Sequence, residues 1–115
     1  MSLEITQRKR NGAVVLDASG RLTAGAGANQ LREAVRELAE AGERRVLLNL
    51  AGVAFLDSTG LGQLAAASEM LRTHGGQLRV VNAHGPVRHV FQITRLNKVF
   101  PDFPSEDAAI ESFAA

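Results

Sequence analysis

The chain has 115 residues, a formal net charge of +1, and no cysteine, tryptophan or tyrosine. This length predicts a single domain, residues 1–115, and the lack of cysteine excludes disulfides, thiol nucleophiles and thiolate metal sites. The balance of 13 basic against 12 acidic residues argues against a dedicated nucleic-acid binder. The aromatic residues, 4% of the chain and all phenylalanine, do not suggest a base-stacking surface.

The N-terminal segment alternates polar and apolar side chains and lacks the hydrophobic run and cleavage site of a secretory signal. No stretch of the sequence approaches the ~20 apolar residues that cross a bilayer. We therefore expect a cytoplasmic protein that does not insert into a membrane. No motif in the sequence predicts a metal or any other cofactor.

The first part of the chain predicts strands followed by a helix. Alternation at residues 3–7 predicts a half-buried edge strand, and Asn11-Gly12 is a strong hairpin signal before the β-rich run 13–18. Residues 21–23 predict a short third strand. Helical spacing of apolar residues predicts a helix from about 28 to 41. Its apolar positions are Leu31, Ala34, Val35 and Leu38.

The rest of the chain alternates short apolar strands with helices. The runs 45–50 and 78–81 are nearly all apolar, which is typical of strands buried on both faces of a parallel sheet. A helix is predicted between them, further helices follow near Pro86 and Ser105, and residues 99–100 predict a last short strand. These elements together predict a small α/β domain with a mixed four- to five-stranded sheet and about four helices.

The sharpest local feature is the segment Phe55-Leu56-Asp57-Ser58-Thr59-Gly60-Leu61-Gly62, where a strand passes into a helix. Its Asp, Ser and Thr all suit the N-cap, so an ordinary helix cap is one interpretation. Two glycines in the first turns of a helix cost about 0.8–1.0 kcal/mol each relative to alanine, and a cap alone does not require them. Close approach of another backbone or of an anion would account for them.

This segment resembles the signature of STAS domains, and in particular that of bacterial anti-sigma factor antagonists. The resemblance extends over nearly the whole chain and implies the STAS-like α/β fold. Its further matches, in order, are Gly20-Arg21-Leu22, the strand 45–50 with Ala51-Gly52-Val53, Gly75-Gly76-Gln77-Leu78-Arg79-Val80-Val81-Asn82, and Thr94-Arg95-Leu96 with Val99-Phe100.

The resemblance implies regulation by partner switching. In the family, the serine after the aspartate, here Ser58, is phosphorylated by an anti-sigma factor that is also a serine kinase, and a serine phosphatase reverses the step. The unphosphorylated antagonist binds the anti-sigma factor, and phosphorylation releases it. The protein is then a binding module rather than an enzyme, and we expect a monomer or weak dimer. Thr59 is the second candidate for phosphorylation; the residues expected to support the site are Asp57, Thr59, Gly60, Leu61 and Gly62.

The docking surface is expected to include the Ser58 segment, the helix after it and the loop 23–27. Thr23 stands where many family members have an acidic residue, so the charge of that loop is altered. Asp57 would either orient the serine hydroxyl or cap the helix. The free backbone N–H groups of Thr59, Gly60 and Leu61, together with the helix dipole, are expected to tolerate a phosphate. The candidate contacts, chosen by position, are Thr23, Gly25, Gln63, Ala66 and Ala67.

Other functions fit the sequence less well. A serine hydrolase would need Gly-x-Ser-x-Gly, but Leu56 stands in place of the first glycine, and each of the three histidines (His74, His84 and His89) has an ordinary structural explanation. Arg8-Lys9-Arg10 is more typical of a solvated hairpin tip than of a DNA contact. Nothing in the sequence specifies nucleotide binding. STAS-like domains also serve as constitutive docking subunits of lipid-transport ATPase complexes and anion transporters, and the sequence leaves that alternative open.

Overall fold

In a computed structural model, which describes residues 3–101 and 103–114, the described chain forms one four-stranded sheet, four α-helices and two short 3₁₀ helices. The predicted α/β class and mixed sheet are confirmed. Within these residues no helix is long and apolar enough to cross a membrane. In chain order the elements are β1 (Leu3–Arg10), β2 (Ala13–Leu22), α1 (Ala26–Glu40), β3 (Arg45–Leu56), α2 (Ser58–Thr73), β4 (Gln77–Val81), α3 (Gly85–Ile93), a 3₁₀ helix (Leu96–Lys98), α4 (Glu106–Glu111) and a second 3₁₀ helix (Ser112–Ala114).

The strands lie in the order β1-β2-β3-β4, with β1 antiparallel to β2 and the other two pairs parallel. The predicted hairpin is confirmed, because Asn11 and Gly12 both have the positive φ, 51° and 82°, that a type I′ turn requires. Helices α1 and α2 connect the parallel strands, as crossovers must. β3 is therefore an interior strand, and its carboxyl end leads directly into α2.

Alternate residues of the interior strands contribute to two apolar clusters on opposite faces of the sheet. The larger cluster contains Leu16 and Leu48 together with residues of α1, α2 and α3. The smaller contains Val15 and Leu47 together with residues of α4. The sequence-based prediction for α1 is confirmed, since its buried residues include Leu31, Val35 and Leu38.

The strand predicted at 21–23 is not a separate strand, the strand predicted at 99–100 is absent, and the strand predicted at 45–50 is longer than predicted. Residues 21–22 continue β2, because Gly20 (φ 109°) carries the strand through a register shift against β3. Residues 99–100 form a turn after the first 3₁₀ helix, and Phe100 packs into the larger cluster instead of pairing with the sheet. β3 continues beyond residue 50 to Leu56, since the same register shifts let it follow β2.

Charged side chains fasten α4 to the first hairpin. The Arg8 guanidinium donates to Asp17 Oδ2 at 2.7 Å and to Glu106 Oε2 at 2.6 Å. Arg10 donates to Glu106 Oε1 at 2.7 Å and also pairs with Asp107. The basic side chains at the hairpin are solvent-accessible, as predicted, but the prediction missed that Arg8 and Arg10 also hold the terminal helix over the smaller cluster.

This ionic contact is expected to stabilise the fold at neutral pH and to weaken in acid. Arg8 lowers the pKa of Asp17 and Glu106 below their ordinary values of 3.8 and 4.5. A carboxyl group with a lowered folded-state pKa stabilises the protein above its ordinary pKa, and that contribution is lost as the pH falls through the folded value. Because the side chains are partly exposed, we expect Arg8→Met to lower the free energy of unfolding by about 1 kcal/mol at neutral pH, and by less in acid.

Urea unfolding at about pH 7 and about pH 3 measures this difference. Lys9→Met is the control, because its exposed ammonium pairs only with Glu43 among the described acidic residues. If Arg8→Met cost the same free energy at both pH values, the ionic account of the contact would be refuted.

Candidate docking and phosphorylation site

Three segments meet where β3 ends and α2 begins. Asp57 is the N-cap of α2, and Ser58 is the first residue of the helix. The Asp57 carboxylate accepts hydrogen bonds from the backbone N–H of Gly60 at 2.7 Å and from that of Ala24 at 3.1 Å. One side chain thus caps the helix and ties the loop between β2 and α1 to it.

The first turn of α2 is already occupied by an anion, the Asp57 carboxylate. Its hydrogen bonds, chiefly from Gly60 and then from Ala24, lower the pKa of Asp57, so the group is ionised at neutral pH. The N–H of Leu61 donates to the Asp57 carbonyl oxygen at 2.9 Å. The backbone N–H of Thr59 is also directed at the Asp57 carboxylate and contributes to its lowered pKa. The expectation that the N–H groups of Thr59, Gly60 and Leu61 are free is therefore wrong.

The two glycines of the segment serve different purposes. A Cβ on Gly60 would lie 2.0 Å from the carbonyl oxygen of Leu22, so no side chain fits where α2 passes the end of β2. The predicted close approach of another backbone is confirmed at this position. Gly62 is exposed, and nothing lies within 4 Å of the place where its Cβ would be. No contact within the described chain requires a glycine at position 62.

Ser58 lies on an exposed face of small residues. The Ser58 hydroxyl makes no hydrogen bond with any described residue, and the neighbouring Thr59 is exposed as well. Gly62 and Ala66 are also exposed and follow Ser58 at four-residue spacing, which places all three on one side of the helix. We call Ser58, Gly62 and Ala66 the small-residue face of α2.

The other predicted contact residues fall in different environments. Thr23 is half-buried and Gly25 exposed, and the loop that contains them lies beside the Ser58 segment, as expected, through the Ala24 bond. Gln63 is half-buried, and its side-chain oxygen is buried without a hydrogen bond from a described residue. The prediction for Ala67 is wrong: this residue is fully buried, because it lies on the side of α2 that faces the core.

An arginine–aromatic pair next to the site lies outside the sequence-based prediction. Phe55 is 40% exposed, and the Arg21 guanidinium carbon lies 5.1 Å from the centroid of its ring. The two residues are partners in the pairing of β2 with β3. The apolar run before Asp57 gave no sign that Phe55 faces outward; only the strand register, with its shifts, reveals it.

The imidazole rings of two histidines contact backbone carbonyl groups. His74 Nδ1 lies 2.9 Å from the carbonyl oxygen of Met70, and His84 Nε2 lies 2.9 Å from that of Ala51. No described hydrogen bond links a histidine to Ser58. In the part of the chain that the structure describes, no three His, Asp or Glu side chains are grouped as metal ligands.

Fold and site together define a small α/β domain that presents a serine at the start of an Asp-capped helix. The family model of the STAS domain matches residues 4–109, and the chain therefore belongs to the STAS domain family.

Three relatives illustrate the similarity. The chain is 30% identical to BtrV of Bordetella bronchiseptica, over 96% of this chain and 95% of that protein. The crystal structure of an anti-sigma factor antagonist from Mycobacterium paratuberculosis has a TM-score of 0.81 at 30% identity, covering 99% of this chain and 96% of that one. The Bacillus cell fate determinant SpoIIAA in its phosphorylated form shares the fold, with a TM-score of 0.70 at 22% identity over 95% of this chain and 98% of that one.

Proposed function

We propose that this protein is an anti-sigma factor antagonist whose binding to its partner is switched by phosphorylation of Ser58. The observation that carries the proposal is the exposed Ser58 hydroxyl, which directly follows a helix cap that does not use it. Two relatives support it: the Mycobacterium protein is named an anti-sigma factor antagonist, and SpoIIAA has a phosphorylated form. The partner is an anti-sigma factor that is also a serine kinase, and a serine phosphatase restores the hydroxyl.

The small-residue face is the centre of the proposed docking surface. A glycine in a helix costs about 0.8–1.0 kcal/mol relative to alanine, and at Gly62 no contact in the described chain offsets that cost. Close approach of a partner backbone would offset it, because a bare Cα lets two chains come nearer than any side chain does. Ser58 lies one helical turn before Gly62, so a partner seated there also covers the hydroxyl.

Phosphorylation acts on this surface rather than on the fold. A phosphoserine carries about −1.5 to −2 charges at neutral pH. The Asp57 carboxylate already uses the N–H groups of Gly60 and Ala24, so the phosphate stays on the outside of the helix, beside a second anion. The proposed switch is therefore repulsion and desolvation at the interface. The protein itself, in this proposal, is a cytoplasmic docking module that contributes the serine oxygen and no catalytic group.

The proposal is tested by incubating the protein with ATP and the serine-kinase anti-sigma factor of the same organism. We expect mass spectrometry to find one phosphate, on Ser58. Thr59→Ala should be phosphorylated like the wild type, and Ser58→Ala should take up no phosphate. Phosphate found on Thr59 alone, or no phosphate at all, would show the proposal to be wrong.

A further inference from the structure

The chain has a basic region that the Ser58 site does not use. Residues 70–101 contain no Asp or Glu, so all 12 acidic residues of the chain lie outside this stretch. Two of its arginines are engaged within the described chain, since Arg72 pairs with Glu69 and Arg79 lies over the ring of Phe113. Arg88 also has an interaction within the described chain, and its side chain is exposed on α3. The remaining basic residues of the stretch, Arg95 and Lys98, are exposed just after α3.

Exposed apolar side chains lie among these cations. Ile93 is 64% exposed and Val99 57%, and among the described residues only Phe55 is another large hydrophobic side chain that is exposed. Arg95 and Lys98 lie between them in the sequence and take part in none of the described ion pairs. We call Arg88, Ile93, Arg95, Lys98 and Val99 the α3 patch.

A cavity lies beside the patch. It has a volume of about 110 Å³, and its lining includes Val80, Val81, Ala83, Phe91 and Phe100. Arg88 of the patch also lines it, and Phe100 follows Val99 directly. An apolar cavity of about 150 Å³ holds a benzene ring, so this smaller cavity accommodates one aliphatic side chain.

We propose that the α3 patch binds an acidic segment of a partner protein, which places one large apolar side chain in this cavity. The charge of the patch selects the partner, because a stretch without acidic residues attracts carboxylates and repels basic segments. The cavity supplies the kind of pocket in which an anchoring side chain contributes most of the binding energy. The surface belongs to α3 and the 3₁₀ helix after it, so the inference does not depend on phosphorylation of Ser58.

The size of the apolar part favours a protein segment over the other possible occupants. A lipid surface would be met by a broad apolar face, whereas here the patch has only two exposed apolar residues, Ile93 and Val99, and a cavity for one side chain lies nearby. A second copy of this chain would have to offer an acidic face, and on α1 the carboxylates of Glu33 and Glu40 are already paired with Arg36.

The test uses a fluorescent peptide of Glu and Ser residues with a central Phe-Leu pair and measures its dissociation constant by anisotropy. We expect binding that weakens as salt is added. Replacing the Phe-Leu pair by Ser, or every Glu by Lys, should each weaken it at least tenfold. On the protein, the double variant Arg95→Glu, Lys98→Glu should also weaken it at least tenfold. Arg32→Glu on the exposed side of α1 is the control for a change of charge away from the patch and should leave the affinity unchanged.

Thermal unfolding of each variant confirms that the surface changes leave the fold intact. Lack of peptide binding, or binding that the double variant does not weaken, would overturn the proposal. The proposal would also be overturned if the protein did not bind the peptide but bound phosphatidylglycerol vesicles through the patch. The same holds if it did not bind the peptide but self-associated through the patch in sedimentation velocity.

Discussion

Gly60→Ala is expected to lower the free energy of unfolding by about 3 kcal/mol, at the upper end of what overpacking costs. The added Cβ would lie 2.0 Å from the Leu22 carbonyl oxygen and 2.8 Å from the carbon of that carbonyl. Backbone atoms cannot turn aside as a flexible side chain does, so α2 would have to move away from β2. That movement would also strain the hydrogen bond from Asp57 N to the same oxygen, 3.3 Å long. Chemical denaturation measures the loss.

Gly62→Ala is the matched control, two residues along the same helix. It is expected to raise the free energy of unfolding by about 0.4–1 kcal/mol, because the site has space and alanine restricts the unfolded chain. If Gly62 belongs to the docking surface, the same substitution weakens partner binding while it stabilises the protein. Equal effects of the two substitutions on stability would contradict the structure of this junction.

Phosphorylation of Ser58 is expected to weaken the complex with the anti-sigma factor about a hundredfold, which corresponds to about 2.8 kcal/mol. A single like-charge contact at about 4 Å near a protein surface reaches about 4 kcal/mol, so one phosphate suffices without any refolding. The circular dichroism spectrum of the protein should stay unchanged, because Asp57 continues to cap α2. Isothermal titration of the partner with the phosphorylated and unphosphorylated proteins gives the ratio of affinities.

The variants Ser58→Asp and Ser58→Asn separate charge from size, because the two side chains have nearly the same shape. We expect the aspartate to weaken binding more than the asparagine, and Ser58→Ala to bind like the unphosphorylated protein. Equal binding of one partner by Ser58→Ala and Ser58→Asp would contradict the switch and indicate constitutive docking, as in a transporter or lipid-transport ATPase complex.

Local signals in the sequence predict much of the fold. Asn11-Gly12 predicts the hairpin because few other residue pairs adopt positive φ at both positions. The spacing of the apolar residues in α1 predicts which side of that helix is buried. Residues 99–100 have the composition of a strand, yet strand formation needs a partner edge, which no local pattern reveals. The predicted strand at 45–50 is too short for a related reason: it ends with the apolar run, whereas β3 continues through residues 51–56, which are mostly exposed and pair with β2 across its register shifts.

The sequence predicts which residues make up the candidate site but not which role each of them has. Three successive residues suited the N-cap, and only the backbone geometry assigns that position to Asp57. Gly60 and Gly62 look alike in the sequence, although one is forced by the Leu22 carbonyl and the other is not. Ala66 is exposed and Ala67 is buried. Because both residues are alanine, their side chains give no pattern of polarity from which this difference could be predicted. These distinctions depend on which strand passes beneath the helix, a property of the whole fold.

The small-residue face has a consequence for the entropy of association. Binding immobilises side chains at a cost of about 0.5–1.5 kcal/mol for each long, flexible one. Gly62 and Ala66 have no rotamers to lose, and Ser58 has few. If the partner seats here, this side of the complex is rigid before contact, and nearly all ordering takes place on the partner. Such a face binds well with a modest contact area. The repulsion from a single added phosphate is then large relative to the binding free energy, so one phosphate is enough to release the partner.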